Sequence, residues 1–169
     1  MPLVGTMALV PQVVAAVDVP VIAAGGIMNG AGLVAALALG AQGAQFGSRF
    51  LLALESGVNN AYRERLHTAH DTDSEIITSL SGRPARGLRN RLLDTLEAAG
   101  GPSLGYPRQA SAWADIRAEN ARRGGSEHST LWAGQAAGLG STDLGASDIV
   151  AQIVHEAYDV IAALHNLPR

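Results

Sequence analysis

Apolar residues in the first third of the chain recur with two different periods. Val10, Val13, Val14 and Val17 fall at i, i+3, i+4 and i+7, the spacing of one face of an amphipathic helix. Pro11 stands in the first turn of that helix, where a missing N–H is tolerated because the donor would have no partner in any case. The pattern then changes. Val19 to Ala24 is a continuous run rich in β-branched residues and predicts a strand buried on both faces. Gly25 and Gly26 end it; Asn29 or Gly30 then caps a second helix carried by Leu33, Val34 and Leu37, which Gly40 stops. A second strand is predicted at Gln42 to Phe46, leading into Gly47, Ser48 and Arg49. Helix, strand, helix and strand at such close spacing predict a parallel α/β sheet.

Beyond Phe50 the pattern is mainly helical. Helices are predicted at Ser56 to Ala69, at Leu88 to Ala99 with Leu88, Leu92 and Leu96 on one face, at Ala110 to Arg123 and at Ser147 to Leu167. In the last of these Ile149, Ile153, Val154, Ala157, Val160, Ile161 and Leu164 are expected to face inward. A short extended piece is predicted at Glu75 to Leu80, and residues 100–109, rich in Gly and Pro, read as a loop. The parallel-strand signal thus occupies residues 1–54, and residues 55–169 form a mainly helical remainder of the same domain.

Composition narrows the chemistry. With 169 residues, 47% hydrophobic and 16% charged, the chain has the makeup of a globular domain with a sizeable core rather than of a disordered segment. A net charge of -3 argues against nucleic acid as a partner, since counterion release needs a positive face. Cysteine is absent, which excludes disulfides, a thiolate nucleophile and sulfur-ligated metal, and makes the cytoplasm the expected compartment. All 12 cationic residues are Arg; without Lys there is no Schiff-base chemistry and no Walker-type phosphate loop. No apolar stretch reaches the roughly 18 residues of a membrane span, and the basic start of a secretory signal is missing, so no membrane association is expected.

The glycines then acquire a chemical reading. A parallel strand that stops at Gly-Gly and feeds a helix puts unobstructed backbone N–H groups at the carboxyl end of the sheet, where ligands of such folds bind. The second strand ends in the same way, at Gln45, Phe46, Gly47 and Ser48. Two neighbouring strands that both end in open turns make a two-sided cradle for one phosphate, with the Ser48 hydroxyl as a further donor. Such a site is built by the last two βα loops of a TIM barrel. The competing reading of each Gly pair is a plain tight turn.

Three separated segments, "LVPQVVAAVDVPVIAAGGIMNGAGLVAALALGAQGAQFGSRF", "SGRPARGLRNR" and "LWAGQAAGL", resemble the carboxyl-terminal half of the nitronate monooxygenases, also called 2-nitropropane dioxygenases. The resemblance runs from about Gly5 to Leu139. It implies a partial TIM (β/α)8 barrel, with the two predicted strands as the seventh and eighth and with flanking and additional helices. It also implies FMN as cofactor and the oxidation of alkyl nitronates by O2 to a carbonyl compound and nitrite. Carried over by position, Gly25 and Gly26 would contact FMN from the turn after the seventh strand. Gln45, Phe46, Gly47 and Ser48 would form the phosphate-binding segment after the eighth, with Ser48 where the family commonly has Thr. The family's Gly-Gly-His-Gly segment, whose His is proposed to take the substrate proton, has no counterpart here; it would lie upstream of Met1. A TIM barrel takes roughly 250 residues, so an amino-terminally truncated form is expected. No catalytic and no metal-binding residue is assigned.

Two other readings compete. One is a related FMN oxidoreductase of the enoyl-acyl-carrier-protein reductase type, with NAD(P)H as donor. The other is a noncatalytic fragment that self-associates through exposed sheet edges as a homo-oligomer. Among the remaining residues, Arg83, Arg86, Arg89 and Arg91 suggest a basic patch, but without interleaved aromatics an ion-paired loop is expected. His67 and His70 with Asp71 and Asp73 have a spacing that a metal could use, against the plainer reading of an exposed helix end. His128, His155 and His165 have no partner pattern. Trp132 and Gln135 could approach a flavin, or Trp132 could be a packing anchor.

Overall fold

The computed structural model describes residues 3–100, 104–140 and 142–167. In chain order they form α1 (Thr6–Ala16), β1 (Ile22–Ala24), α2 (Gly30–Ala38), β2 (Gly43–Gln45), α3 (Ser48–Leu51) and α4 (Asn60–His67). There follow β3 (Ser74–Ile77), β4 (Ala85–Leu88), α5 (Arg91–Ala98), α6 (Arg108–Ala112), α7 (Ala114–Arg122), a 3-10 turn (Ala137–Leu139) and α8 (Ala146–His165). Among the described residues the strands lie in two two-stranded sheets, a mixed α/β arrangement. The chain divides into two compact units, Met1–Ser56 with Thr142–Arg169, and Gly57–Ser141.

In the first unit β1 and β2 pair in parallel, Ile22 opposite Gly43, Ala23 opposite Ala44 and Ala24 opposite Gln45, with α2 as the crossover. Val10, Ala23, Ile27, Ala36 and Ala41 form a core against which Val14, Leu39, Ala44 and Phe46 pack. A second cluster joins Ala53, Ile149 and Ile153 with Leu33, Phe46 and Phe50 around it. Phe46 belongs to both, so the turn after β2 is anchored from inside the unit. Helix α8 lies along α2 so closely that a Cβ on Gly30 would sit 2.3 Å from the backbone nitrogen of Ala157. Only glycine permits that approach.

Helix α1 begins at Thr6, so Pro11 lies inside it rather than in its first turn, and Val17, expected on its inward face, is its exposed C-cap. Two further expectations change. The strand over residues 19–24 is shorter and is not buried on both faces: Ala23 is buried, but Ile22 is 56% exposed. The reason is that β2 is its only strand neighbour among the described residues. In α8 the covered stripe is narrower than predicted. Ile149, Ile153 and Ala157 are buried, whereas Val154, Ile161 and Leu164 are exposed, because the line i, i+4, i+8 faces α2 and the flank one position on does not.

In the second unit β3 and β4 pair antiparallel, from Ser74 opposite Leu88 to Ile77 opposite Ala85. The extended piece predicted at residues 75–80 is thus β3, shifted toward the amino terminus. Its partner β4 escaped prediction because Ala-Arg-Gly-Leu has little strand propensity. Leu88 ends that strand instead of opening the following helix. Asn90 begins α5: its side-chain oxygen accepts from the Leu93 amide at 3.2 Å, while its amide donates to the carbonyls of Ser126 at 2.9 Å and Ser129 at 2.7 Å. The helix predicted at residues 110–123 is broken at Trp113 into α6 and α7. Trp113 is buried and its indole N–H donates to the Leu80 carbonyl at 3.0 Å. It packs with Ile77, Leu80, Leu92 and Leu93 in the core of this unit. Residues 101–103 of the predicted loop lie outside the described residues.

Candidate functional site

The register that puts Ala24 opposite Gln45 makes Gly25 and Gly26 emerge beside Phe46, Gly47 and Ser48, at one end of a parallel pair whose strands are about 4.8 Å apart. The six residues singled out from the sequence are therefore brought together. Gly25 and Gly26 have φ of 110° and 73°, a backbone that side-chain-bearing residues rarely adopt. A Cβ at Gly25 would meet the Thr6 hydroxyl oxygen at 2.9 Å, but at Gly26 and at Gly47 it would meet nothing within 4 Å. These two glycines thus expose bare backbone to open space. Gly47 is the N-cap of α3 and Ser48 its first residue. Gln45 is exposed and Ser48 half-buried. The Phe46 ring is turned inward, edge-on to Phe50 with centroids 6.4 Å apart, so its contribution to a ligand would come from its backbone.

Buried neighbours hold both turns. Ile27 and Met28 are buried directly after Gly26, and the Asn29 side chain caps α2 by accepting from the Gly32 amide at 2.9 Å. The amide of Gly30 donates to the Glu156 carboxylate at 2.9 Å. After the second turn Arg49 is only 5% exposed. It donates to the Thr142 carbonyl at 3.1 Å and to the Gln152 side-chain oxygen at 3.4 Å. Burial lowers its pKa from the ordinary guanidinium value, while Glu156 and Asp143 pull it back up. Neither Arg49 nor Glu156 was singled out from the sequence. Glu156 stands 126 residues from its partner Gly30, and no spacing rule reaches that far.

A phosphate fits this arrangement on chemical grounds. A Cβ at Gly26 or Gly47 would enter open space, so the backbone of both turns is accessible, and peptide N–H groups with a serine hydroxyl suit an anion with several acceptor oxygens. An apolar cleft of about 380 Å³ opens beside the first turn, lined in part by Met7, Val10, Gly25, Gly26, Ile27 and Leu39.

The other candidates are occupied in plainer ways. Arg83 lies over the Tyr106 ring, 4.4 Å from its centroid, and Arg86 donates to the Ser74 carbonyl at 2.5 Å. Arg89 pairs with Glu75, Asp94 and Glu97 at 2.8, 2.7 and 2.8 Å, and its hydrogen bonds to Glu75 and Glu97 raise its pKa further. The amide of Arg91 donates to Glu127. Of the expected ion-paired loop only Arg89 is ion-paired; Arg83 is stacked, Arg86 lies in β4 and bonds a carbonyl, and Arg91 opens α5. His67 lies in the last turn of α4, and the His70 amide donates to Asp73 at 2.8 Å. Among the described residues no group of three or more His, Cys, Asp or Glu could hold a metal ion. His128 lines an open groove with Asp115 and Glu119, His155 faces Asp159 across one turn of α8 at 3.5 Å, and His165 is exposed in its last turn. Trp132 packs on the core of the second unit and Gln135 is exposed. No helix among the described residues is long and apolar enough to cross a membrane.

Comparison with known proteins places this geometry in a family. The sequence profile of the family described as Nitronate monooxygenase matches residues 1–156. A probable nitronate monooxygenase of Staphylococcus saprophyticus is 36% identical over 160 residues, which are 95% of this chain and 45% of that protein. Nitroalkane oxidase from Streptomyces ansochromogenes superposes with a TM-score of 0.86 at 34% identity, over 95% of this chain and 46% of its own. FabK from Thermotoga maritima superposes with a TM-score of 0.82 at 32% identity, over 98% and 52% of the two chains. The chain spans about half the length of the curated relatives it matches. With the paired glycine turns at the end of its parallel strands and a family match that runs through nearly all of its length, the chain belongs to the nitronate monooxygenase family.

Proposed function

We propose that this chain holds the phosphate of FMN within an FMN-dependent nitronate monooxygenase, with β1 and β2 as the seventh and eighth strands of a TIM barrel. The observation that carries the reading is the pair of open glycine faces, Gly26 and Gly47, each two residues past the end of one of two paired parallel strands. Gly25 makes the turn, Gly26 and Gly47 admit phosphate oxygens to the backbone, and Ser48 offers a hydroxyl. Gln45 and the Phe46 peptide complete the rim, while the Phe46 ring locks it to the core. When bound, FMN supplies the redox chemistry by which an alkyl nitronate and O2 yield a carbonyl compound and nitrite. No residue of this chain is assigned the proton-accepting role.

The cradle reads the phosphate and no residue in it reads the substrate, so it serves equally a flavin oxidoreductase of the enoyl-acyl-carrier-protein reductase type. Titration of the purified chain with FMN, followed by flavin fluorescence, tests the common part. Saturation at one FMN per chain is expected, and absence of saturable binding would sink the phosphate assignment. Anaerobic addition of a nitronate or of NAD(P)H to the loaded protein then separates the two enzymes by which reagent bleaches the flavin. A chain that binds no flavin is a noncatalytic fragment of the family.

A further inference from the structure

The two glycine turns come from different strands, yet one stretch of α8 is bonded to the segment after each. Glu156 Oε2 accepts from the Gly30 amide at 2.9 Å, four residues after Gly26. Glu156 Oε1 accepts from Gln152 Nε2 at 2.7 Å. Gln152 Oε1 in turn accepts from Arg49 Nη2 at 3.4 Å, one residue after Ser48. Arg49 Nη1 closes the line by donating to the Thr142 carbonyl at 3.1 Å, in the segment that leads into α8. From these contacts we infer that Gln152 and Glu156 are positioning residues, a side-chain brace on α8 that sets the spacing of the two halves of the phosphate cradle. The inference rests on the phosphate assignment above and adds to it a determinant distant in sequence.

Three features of the contact make it a brace rather than an incidental surface bond. Gly30 abuts α8 so tightly that a Cβ would meet the backbone of Glu156 and Ala157 at 2.5 and 2.3 Å, so the amide cannot drift from its acceptor. Arg49 is buried, and a buried guanidinium must keep its acceptors. The burial cost it bears is offset in part by the charges of Glu156 and Asp143. The i, i+4 step from Gln152 to Glu156 puts both on one face of α8, so one exposed side chain joins the carboxylate that holds Gly30 to the buried Arg49. Neither residue is placed in contact with ligand; each acts through the loop it holds. A phosphate held by convergent donors loses affinity steeply when the donors move apart.

The test compares FMN with riboflavin, which lacks the phosphate, across the wild-type chain, Glu156→Ala, Glu156→Gln and Gln152→Ala. The Kd for FMN is expected to rise about tenfold in Glu156→Ala and severalfold in Gln152→Ala, with the riboflavin Kd moving less than twofold. Glu156→Gln keeps an acceptor for Gly30 but turns an amide N–H toward the Gln152 Nε2 donor, so it is expected to recover the part of the loss owed to the Gly30 bond and to behave like Gln152→Ala. An unchanged ratio of FMN to riboflavin Kd in Glu156→Ala and Gln152→Ala would overturn the proposal, since general loosening of the fold affects both ligands. Should Glu156→Ala fail to fold, Gln152→Ala cuts the links of Gln152 to Arg49 and to Glu156, leaves the bond from Gly30 to Glu156 in place, and decides the matter. Amide hydrogen exchange on the flavin-free chain separates the two ideas. Faster exchange in Gln152→Ala at residues 47–50, and in Glu156→Ala at residues 25–30 as well, supports the brace even if the wild type binds no flavin. Unchanged exchange in both segments removes it.

Discussion

Gly26 and Gly47 present the same open face but differ in backbone, and one methyl group tells them apart. Gly47 has φ of -96° and ψ of -79°, near the right-handed region open to ordinary residues, and a Cβ there has free space. Gly47→Ala should therefore leave thermal unfolding unchanged while it fills the cradle and weakens FMN binding about tenfold, roughly 1.4 kcal/mol. Gly26 has φ of 73°, so Gly26→Ala should lose about 1–2 kcal/mol of stability as well as affinity. Unfolding curves and flavin titrations of the two variants check this, and wild-type binding by Gly47→Ala would place the phosphate elsewhere. A different effect belongs to Tyr62, whose hydroxyl donates to the Trp132 carbonyl at 2.5 Å. Burial raises its pKa well above the ordinary phenol value. The folded state thus favours the neutral phenol, and the unfolded chain releases the proton first, at about pH 10. The resulting stabilisation is complete below that pH and declines as pH rises toward the folded value. Tyr62→Phe should be about 1 kcal/mol less stable at pH 7 through its lost hydrogen bond, with a shallower alkaline decline. Urea unfolding between pH 7 and 11 measures both, and an unaltered slope would assign the decline to other groups.

At the level of elements, caps and close approaches decide where helices start and which side they bury. Asn90 is the clearest case: one buried side chain caps α5 and satisfies the carbonyls of Ser126 and Ser129. Asn90→Ala removes the cap and leaves two acceptors without their donor, a combined loss of about 2–4 kcal/mol. Asn90→Ser keeps a capping oxygen but not the donors and should fall between. Chemical denaturation ranks the three proteins, and equal stability of Ser and Ala variants would make the cap irrelevant. The same local chemistry was legible in the sequence at Asn29 or Gly30, of which Asn29 is the observed cap. It was not legible for α6 and α7, where the demand of Trp113 for a buried site and a hydrogen-bond partner at Leu80 overrides a continuous helical pattern.

On the scale of the whole molecule, two groups stand out among the exposed apolar residues. Met7, Val19 and Ile22 are exposed around β1, and Val150, Val154, Tyr158, Ile161 and Leu164 form a stripe on α8. Among the described residues each sheet has two strands and hence two unpaired edges, and such edges and stripes favour association. The purified chain is expected to self-associate at micromolar concentration in light scattering, and the double variant Val154→Glu, Ile161→Glu should reduce it. Association that persists in that variant points to the strand edges, and a monodisperse monomer of the parent chain contradicts the expectation.

Part of this protein is encoded by local chemistry and can be read directly from its residues. Helical spacing of Val10, Val13 and Val14, the β-branched run before Gly25, and the glycines after each strand all act through backbone conformation within a few residues. They were enough to find the parallel pair and the two turns; the family came from the resemblance of three longer segments. Tertiary structure alone decided that Ile22 is exposed, that α8 buries Ile153 but not Val154, that Arg49 turns inward, and that Glu156 reaches Gly30. Each of these depends on which surface happens to lie opposite, and a hydrogen bond across 126 residues leaves no periodic trace in the chain that makes it.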